Sequence, residues 1–252
     1  MCILMVQDKK QKVTEQEFRN SWIANNDGVG YAFVKNEQIQ IKKFMKLNPF
    51  LNEIKRDVNQ FGNVSPFLIH FRYTTNGLTN IDNCHPFKIN DNSVFGHNGI
   101  ITSVDDDEIK SDTRMFNEQI LKELPKNWMR NKSICKLVSD SIGHSKLAFL
   151  NSDSSFKIIN ESLGGWDKNR KIWFSNNSHI KTTYKYKPIN IGYNYFQNES
   201  KYKSVPIEVL NESCDWCFCE IDNNPNMVQG QLICNDCKIV YDKQMEQVNF
   251  KF

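Results

Sequence analysis

The second residue of the chain is a cysteine, and its position could give it two reactive groups. The sequence begins Met1-Cys2-Ile3-Leu4. Cells that remove an initiator methionine do so when the next residue is small, and removal here would leave Cys2 as the first residue. It would then carry both a thiol nucleophile and a free α-amino group, whose pKa of about 7.7–8.0 lets it accept a proton near neutrality. The pattern allows covalent catalysis, although most cysteines at position 2 have no such role.

A second group of cysteines lies near the end of the chain. Cys214 and Cys217 form one C-x-x-C pair, and Cys234 and Cys237 form another after sixteen intervening residues. This spacing is typical of a tetrahedral four-thiolate zinc site, in which each pair presents two thiolates to one ion. We therefore predict a structural Zn²⁺ bound by these four residues. A redox role for the pairs is the main alternative, and Cys219 is an additional thiol beside them.

Five short clusters in the first half of the chain combine turn residues with polar side chains. They are Asn-Asp-Gly-Val-Gly at 26–30, His-Phe-Arg-Tyr-Thr-Thr-Asn-Gly at 70–77, Asn-Cys-His-Pro-Phe at 83–87, Phe-Gly-His-Asn-Gly-Ile-Ile at 95–101 and Ser-Asp-Thr at 111–113. In this order behind Cys2, they resemble the glutaminase domain of class II glutamine amidotransferases, which are N-terminal nucleophile hydrolases. The resemblance covers roughly residues 2–185 and is strongest to the stand-alone, single-domain branch.

The resemblance implies a catalytic group of three residues. Cys2 would attack the side-chain amide of glutamine and form a γ-glutamyl thioester, releasing ammonia. The Asn98 side chain and the Gly99 backbone N–H would stabilise the oxyanion, a contribution typically worth about 2.7–4 kcal/mol per donor. Taken without the resemblance, Asn98-Gly99 is also the strongest short signal for a hairpin turn.

The resemblance also implies a set of residues that bind the substrate. Arg72 would hold the α-carboxylate of glutamine by paired hydrogen bonds, and Asp112 would hold the α-ammonium group. Thr75 and the main chain of Tyr73 would complete the pocket. The ordinary alternatives are a surface salt bridge for Arg72 and a helix N-terminus for Ser111-Asp112-Thr113.

Three histidines near these clusters suggest a Cys–His dyad or a metal site. They are His70, His85 and His97. Because the α-amino group is the base in the family that the sequence resembles, we expect the histidines to be structural. Cys84, beside His85, is expected to be a small buried residue.

The elements that must position these residues are strands interrupted by two blocks of helix. The hydrophobic pattern predicts helices at 15–24, 113–124 and 134–142, grouped within 15–60 and 113–142. Strands are predicted at 1–6, 29–35, 66–72, 94–95, 147–150, 156–159 and 171–174, with further surface strands within 176–212. Such blocks favour an α+β class over a parallel βαβ sheet. The resemblance implies an αββα four-layer sandwich.

The chain is predicted to contain two units. Residues 2–205 would form the glutaminase domain, and residues 206–252 a zinc-ribbon-like tail. A segment of about 40 residues rarely buries enough core to fold alone, so the ion would supply folding energy to the tail.

Composition limits the remaining possibilities. The 252 residues carry a net charge of only +3, which argues against a strongly basic nucleic-acid binder. No apolar run is long enough for a membrane span, and the N-terminus lacks the pattern of a secretory signal, so we expect a cytoplasmic protein. The partner implied by the resemblance is a synthetase or ligase that receives ammonia.

Two other functions remain open at this stage. The chain could be an N-terminal-cysteine hydrolase that acts on an amide other than free glutamine. It could also be a non-catalytic adaptor that binds a partner through the zinc tail. Arg72 and Asp112 distinguish the first case, because both are needed to hold a free amino acid at its two charged ends.

Overall fold

The computed structural model describes residues 2–105, 107–167, 169–180, 214, 221, 226–228, 231–235, 237–239 and 241–242. The helices are α1 (Glu15–Ala24), α2 (Leu47–Phe61), α3 (Asp112–Gln119) and α4 (Lys132–Ile142). The strands are β1 (Ile3–Gln7), β2 (Val29–Lys35), β3 (Gln38–Phe44), β4 (Phe67–Phe71), β5 (Phe87–Asn90), β6 (Ser93–Asn98), β7 (Lys146–Asn151), β8 (Phe156–Ile159), β9 (Gly165–Trp166), β10 (Ile172–Phe174), β11 (Asn226–Val228) and β12 (Gln231–Ile233). Short 3₁₀ turns occur at Ile81–Asn83, Leu121–Glu123, Trp128–Arg130 and Glu161–Leu163.

The strands before residue 180 form two antiparallel sheets. The larger sheet has the order β3-β2-β4-β1-β10-β9, and the smaller has the order β5-β6-β7-β8. In the tail, β11 and β12 pair as an antiparallel hairpin. Helices combined with sheets whose strand pairs are antiparallel fit the predicted α+β class.

Three hydrophobic cores order the sheets and helices in layers. One core joins α1 and α2 to the outer face of the larger sheet. A second lies between the sheets, where Leu4 and Leu68 meet Ala148 and Leu150. A third joins the outer face of the smaller sheet to α3 and α4. The succession is helices, sheet, sheet, helices, so both sheets are covered on each face.

The central position of β4 explains its composition. It lies between β1 and β2, and all five of its residues are buried. A strand covered on both faces has no solvent side, so its sequence is a continuous apolar run broken only by His70. By contrast, β5 alternates buried Phe87 and Ile89 with exposed neighbours.

The start of α1 is determined locally. Thr14 accepts a hydrogen bond from the Glu17 backbone N–H, and the Glu17 carboxylate accepts one from the Thr14 backbone. This capping box satisfies two donors that a helix N-terminus otherwise leaves unpaired. Glu17 also forms an ion pair with Arg170 at 2.7 Å, which connects α1 to the loop before β10.

The predicted elements are recovered with two differences. The predicted helix at 113–124 is shorter, because α3 ends at Gln119 and a 3₁₀ turn follows. The hairpin interpretation of Asn98-Gly99 is wrong, since β6 pairs with β5 and β7 and no strand follows it directly. The predicted strands from residue 181 onward and the boundary between 205 and 206 lie outside the described residues. None of the helices that the structure describes has the length and apolarity of a membrane span.

Candidate active site

Cys2 immediately precedes β1, and the strand register decides which residues surround it. β1 pairs with β4 so that Ile3 lies opposite Phe71. Continued by one residue, this antiparallel register brings Cys2 to Arg72. On the other side of β1, the antiparallel strand β10 also ends near the start of β1. Segments distant in sequence therefore meet at the N-terminal end of β1.

The Cys2 thiol is held by the backbone of one residue. The Tyr73 N–H donates to Cys2 Sγ at 3.2 Å, and the thiol donates to the Tyr73 carbonyl at 3.3 Å. The Cys2 carbonyl accepts a hydrogen bond from Asn176 Nδ2 at 2.8 Å. The side chain is half-buried. These contacts place the Tyr73 main chain beside the thiol, while its part in a glutamine pocket stays a prediction.

The environment raises the pKa of the Cys2 thiol. Burial is the main cause, and the negative charge of Asp112 acts in the same direction. The Tyr73 N–H and the positive charge of Arg72 lower the thiol pKa, but by less than burial raises it. Since the thiolate is the nucleophilic form, a cysteine in this position needs a base to remove its proton.

Arg72 is buried at the end of β4, rather than exposed in a surface salt bridge. Its guanidinium donates to the carbonyls of Leu78 and Asn76, both at 3.1 Å. Its backbone is fixed by the turn before β2, because the Arg72 N–H donates to the Gly28 carbonyl at 2.8 Å. A guanidinium carries more N–H donors than these two bonds use, so Arg72 can also bind a carboxylate.

Asp112 is buried at the first residue of α3. Its Oδ2 accepts the Ile101 N–H at 2.8 Å, and its Oδ1 accepts the Thr113 N–H at 2.7 Å. The helix N-cap is Ser111, whose side chain accepts the Arg114 N–H. Because Ser111 performs the capping, Asp112 retains acceptor capacity for a further group such as an ammonium.

Asn98 and Gly99 lie where β6 ends. Asn98 Nδ2 donates to Ser175 Oγ at 2.8 Å, which joins the smaller sheet to the segment following β10. Gly99 has a φ of +142°, and a Cβ added there would lie 2.8 Å from the Ser145 Cα. Only glycine fits this backbone, so the Gly99 N–H is presented in an orientation that another residue would not adopt.

Sequence reasoning missed two residues at the site. Ser175 accepts the Leu4 N–H at 2.8 Å, and Asn176 contacts Cys2 as described above. The signal that could have found them is the polar Ser-Asn-Asn-Ser run directly after the predicted strand 171–174. Polar residues at the end of a buried strand are common at sites because the rigid strand fixes their position.

Thr75 is the predicted site residue for which the structure gives least support. Its side chain is exposed, and it makes no hydrogen bond among the described residues. The neighbouring Thr74 is more firmly held, since its N–H donates to Asp27 Oδ2 at 2.7 Å. The Asp27 carboxylate thus fixes the loop that contains Tyr73 and Thr75.

The three histidines form a buried cluster behind the site. The ring centroids of His70 and His85 are 3.9 Å apart, and those of His85 and His97 are 6.2 Å apart. The His97 N–H donates to His85 Nδ1, and His97 Nδ1 lies 2.7 Å from Thr113 Oγ1. Burial lowers the pKa of all three, that of His97 to about 4. In the described structure the three histidines contact one another, Thr113 and Phe87 rather than Cys2, and Cys84 is buried as expected.

The tail brings together three of the four predicted zinc ligands. The sulfur atoms of Cys214, Cys234 and Cys237 lie within 4.8 Å of one another, and all three residues are buried. A tetrahedral site with Zn–S bonds of about 2.3 Å needs sulfur atoms roughly 3.8 Å apart, so this donor set fits zinc. The Cys237 N–H also donates to Cys234 Sγ at 3.4 Å, as expected when one C-x-x-C pair curls around an ion. Cys217 and Cys219 lie outside the described residues.

Comparisons with known proteins do not identify the site. No family model matches the sequence, and no curated protein matches it. Among solved structures, a glutamine aminotransferase class-II domain protein from Silicibacter pomeroyi is similar with a TM-score of 0.35 and 14% sequence identity. The match covers 69% of this chain and 87% of that chain. The interpretation of the site therefore depends on its own residues.

Proposed function

We propose that the chain is a glutamine amidohydrolase of the class II amidotransferase type, with the αββα architecture of N-terminal nucleophile hydrolases. The observation that carries the proposal is that Arg72 and Asp112, which come from two other segments, are both buried and both act electrostatically on the Cys2 thiol. A thiol with a buried cation and a buried carboxylate in its surroundings is suited to an amide substrate that also carries an α-carboxylate and an α-ammonium group.

The proposed first half-reaction releases ammonia. Once Met1 is removed, the α-amino group of Cys2 accepts the thiol proton, directly or through a water. Sγ then attacks the side-chain amide carbon of glutamine, and the oxyanion is stabilised by Asn98 and Gly99. The protonated amine returns its proton to the amide nitrogen, the C–N bond breaks, and ammonia leaves a γ-glutamyl thioester on Cys2.

The second half-reaction regenerates the enzyme. Water, deprotonated by the same α-amino group, attacks the thioester carbonyl. The C–S bond breaks, the thiol recovers its proton and glutamate is released. The ammonia from the first step would serve an acceptor, in our proposal on a partner synthetase or ligase.

The tail is proposed to hold one structural zinc ion. Cys214, Cys234 and Cys237 would be three ligands, and Cys217 would be the fourth. The ion would neutralise the closely spaced thiolates and supply folding energy to a segment with a small core.

Substrate analogues test whether the site is made for free glutamine. L-glutamine, N-acetyl-L-glutamine and the α-amide of glutamine are compared by release of ammonia, the product common to all three, using protein whose first residue is Cys2. N-acetylation blocks the ammonium contact, and the α-amide removes the carboxylate contact. Each modification should therefore reduce turnover by about 100-fold or more relative to L-glutamine.

An Arg72→Lys variant tests the same carboxylate contact by a change in the protein instead of in the substrate. It keeps the charge but loses the bidentate geometry, so kcat/KM for glutamine should fall while the α-amide is affected much less. Equal turnover of all three amides would contradict specificity for free glutamine and favour the hydrolase of another amide. No hydrolysis of any amide by protein beginning at Cys2 would favour the adaptor.

A further inference from the structure

The hydroxyl of Ser175 connects the proposed oxyanion donor to the strand that carries Cys2. Ser175 is completely buried. Its Oγ lies 2.8 Å from the Leu4 backbone nitrogen and 2.8 Å from Asn98 Nδ2. Both groups donate to it, so in this arrangement Oγ is an acceptor twice. Among the described residues, the hydroxyl proton of Ser175 has no acceptor of its own.

The other end of the Asn98 carboxamide is also unsatisfied. Asn98 is buried, and its Oδ1 has no hydrogen-bond partner within the described part of the chain. A buried carbonyl oxygen without a donor is costly, typically more than a hydrogen bond contributes. With the carboxamide in this orientation, Asn98 Oδ1 is a buried acceptor without a donor, and the neighbouring Ser175 hydroxyl is a donor without an acceptor.

Rotation of the carboxamide by half a turn removes both defects. The oxygen and nitrogen of an amide occupy almost the same shape, so their hydrogen-bond partners decide which atom takes which position. After the rotation, Ser175 Oγ still accepts the Leu4 N–H and now donates its proton to Asn98 Oδ1. The Asn98 NH₂ group then occupies the position without a partner, where it can bind an oxyanion.

We propose that Ser175 is a positioning residue, which holds the Asn98 NH₂ group toward the carbonyl oxygen of the amide that Cys2 attacks. The inference rests on the proposed function and adds to it the residue that orients the oxyanion donor. Ser175 is suited to this task because its oxygen is fixed by Leu4, two residues along the chain from Cys2. The nucleophile and the oxyanion donor are thereby located by the same short stretch of β1.

Neutron diffraction on deuterated crystals of the unaltered protein tests the orientation directly. We expect a deuteron on Ser175 Oγ that points to Asn98, and two deuterons on the Asn98 atom that faces away from Ser175. Deuterons on the Asn98 atom that faces Ser175 would overturn the inference. This result does not depend on any catalytic activity, so it separates the inference from the proposed function.

Kinetics test the consequence for catalysis, with a second buried serine as the control. Ser175→Ala should lower kcat for glutamine hydrolysis about tenfold or more and leave KM almost unchanged, since the loss of an oxyanion donor itself typically costs 100- to 1,000-fold. Ser65 is the matched control: it is buried, and its Oγ accepts the Val34 N–H at 2.8 Å in the same sheet. Ser65→Ala removes an equivalent strand contact without touching Asn98, so its kcat should stay near that of the unaltered protein.

The Asn98→Ala background distinguishes positioning from a general structural effect. There Ser175→Ala should cause little further loss of kcat, because the group that it orients is already gone. An equal loss in both backgrounds, or an unchanged kcat in Ser175→Ala alone, would overturn the inference. If the unaltered protein does not hydrolyse glutamine, the proposed function fails, while neutron diffraction still decides the orientation of Asn98.

Discussion

Each charged residue of the proposed pocket supports the local structure and keeps capacity for a ligand. Arg72 holds two carbonyls of the loop that follows β4, and Asp112 holds two N–H groups near the start of α3. Both side chains are therefore fixed before a substrate arrives. Fixed groups lose little entropy on binding, which is the general advantage of a preorganised site.

The residue types at the site were largely predictable, because a thiol, a guanidinium and a carboxylate in ordered clusters carry recognisable chemistry. Ser175 was not predictable in this way. A serine after a strand is common, and its importance comes from two contacts, with Leu4 and Asn98, that only the folded chain creates. Thr75 remains a prediction, since the structure places its side chain in an exposed position without a hydrogen bond.

Alanine at position 99 should destabilise the protein far more than alanine at position 143. Both glycines have positive φ, but a Cβ at Gly99 meets Ser145, whereas a Cβ at Gly143 meets nothing within 4 Å. We expect a loss of about 1–3 kcal/mol in the free energy of unfolding for Gly143→Ala, since the φ of +55° and ψ of −122° at this position are rarely adopted by residues with a Cβ. Gly99→Ala should lose at least about 3 kcal/mol, since strain and overpacking add. Urea denaturation measures both, and equal losses would contradict the geometry at Gly99.

His97 should make the fold sensitive to acid. Its pKa falls from 6.5 to about 4 on burial, so the unfolded state binds more protons between these values and stability is lost as the pH falls through this window. Between about pH 7 and about pH 5 the loss due to His97 is about 2 kcal/mol, because one pKa unit corresponds to about 1.36 kcal/mol.

Urea denaturation at the two pH values measures this loss. His97→Asn should reduce the difference in unfolding free energy between the two, whatever its effect on stability at neutral pH. Replacement of the exposed His144 by Gln is the control and should leave the difference as it is. The same difference in His97→Asn as in the unaltered protein would show that His97 does not cause the acid sensitivity.

At the scale of elements, the register of β1 places Cys2, and the loops at the ends of β4 and β10 surround it. The sequence predicted α1, β2 and β8 with the bounds that the structure has, because their apolar periods and flanking turns are clear. It did not predict β3, whose residues at the edge of the sheet are mostly half-buried and mix Ile with Gln and Lys. The turn signal at Asn98-Gly99 was misleading, since β6 forms its hairpin with the preceding strand β5 and its other partner, β7, comes from a distant segment.

Asp27 should control substrate binding through the loop after β4. Its Oδ2 accepts the Thr74 N–H at 2.7 Å, and its own N–H donates to the Arg72 carbonyl at 3.0 Å. Asp27→Ala removes the first contact, so we expect KM for glutamine to rise about 5- to 30-fold, the equivalent of about 1–2 kcal/mol, with a smaller change in kcat. Steady-state kinetics measures both constants.

Asp27→Asn is the matched control for this prediction. It keeps an oxygen that can accept the Thr74 N–H, and its KM should stay close to that of the unaltered protein. If Asp27→Ala leaves KM unchanged, the loop is held in place without Asp27. If Asp27→Asn raises KM as much as Asp27→Ala does, the increase comes from loss of the negative charge rather than from loss of the hydrogen bond.

At the scale of the whole molecule, the two sheets are joined at the site by the contact between Asn98 and Ser175. The cysteine tail is a separate prediction, which the described residues support through three clustered thiols. The sequence predicted this cluster because a repeated C-x-x-C has few other uses in a protein without a disulfide pattern.

Metal analysis tests the tail. We expect about one zinc ion per chain by elemental analysis, a value that should fall in Cys234→Ser because a ligand is lost. Cys135→Ser is the control, since Cys135 lies on α4 and outside the cluster, and its zinc content should be unchanged. Full zinc content in Cys234→Ser, or no zinc in the unaltered protein, would contradict the predicted site.

The central claim is that Cys2 is the nucleophile that opens the amide of glutamine. Intact-mass spectrometry after acid quenching tests it most directly, with protein whose first residue is Cys2 mixed with glutamine. We predict a species heavier by one γ-glutamyl group, located on Cys2 by peptide mapping, and its absence in Cys2→Ala but not in Cys135→Ala. Glutamate release at the same rate in Cys2→Ala as in the unaltered protein would contradict the account.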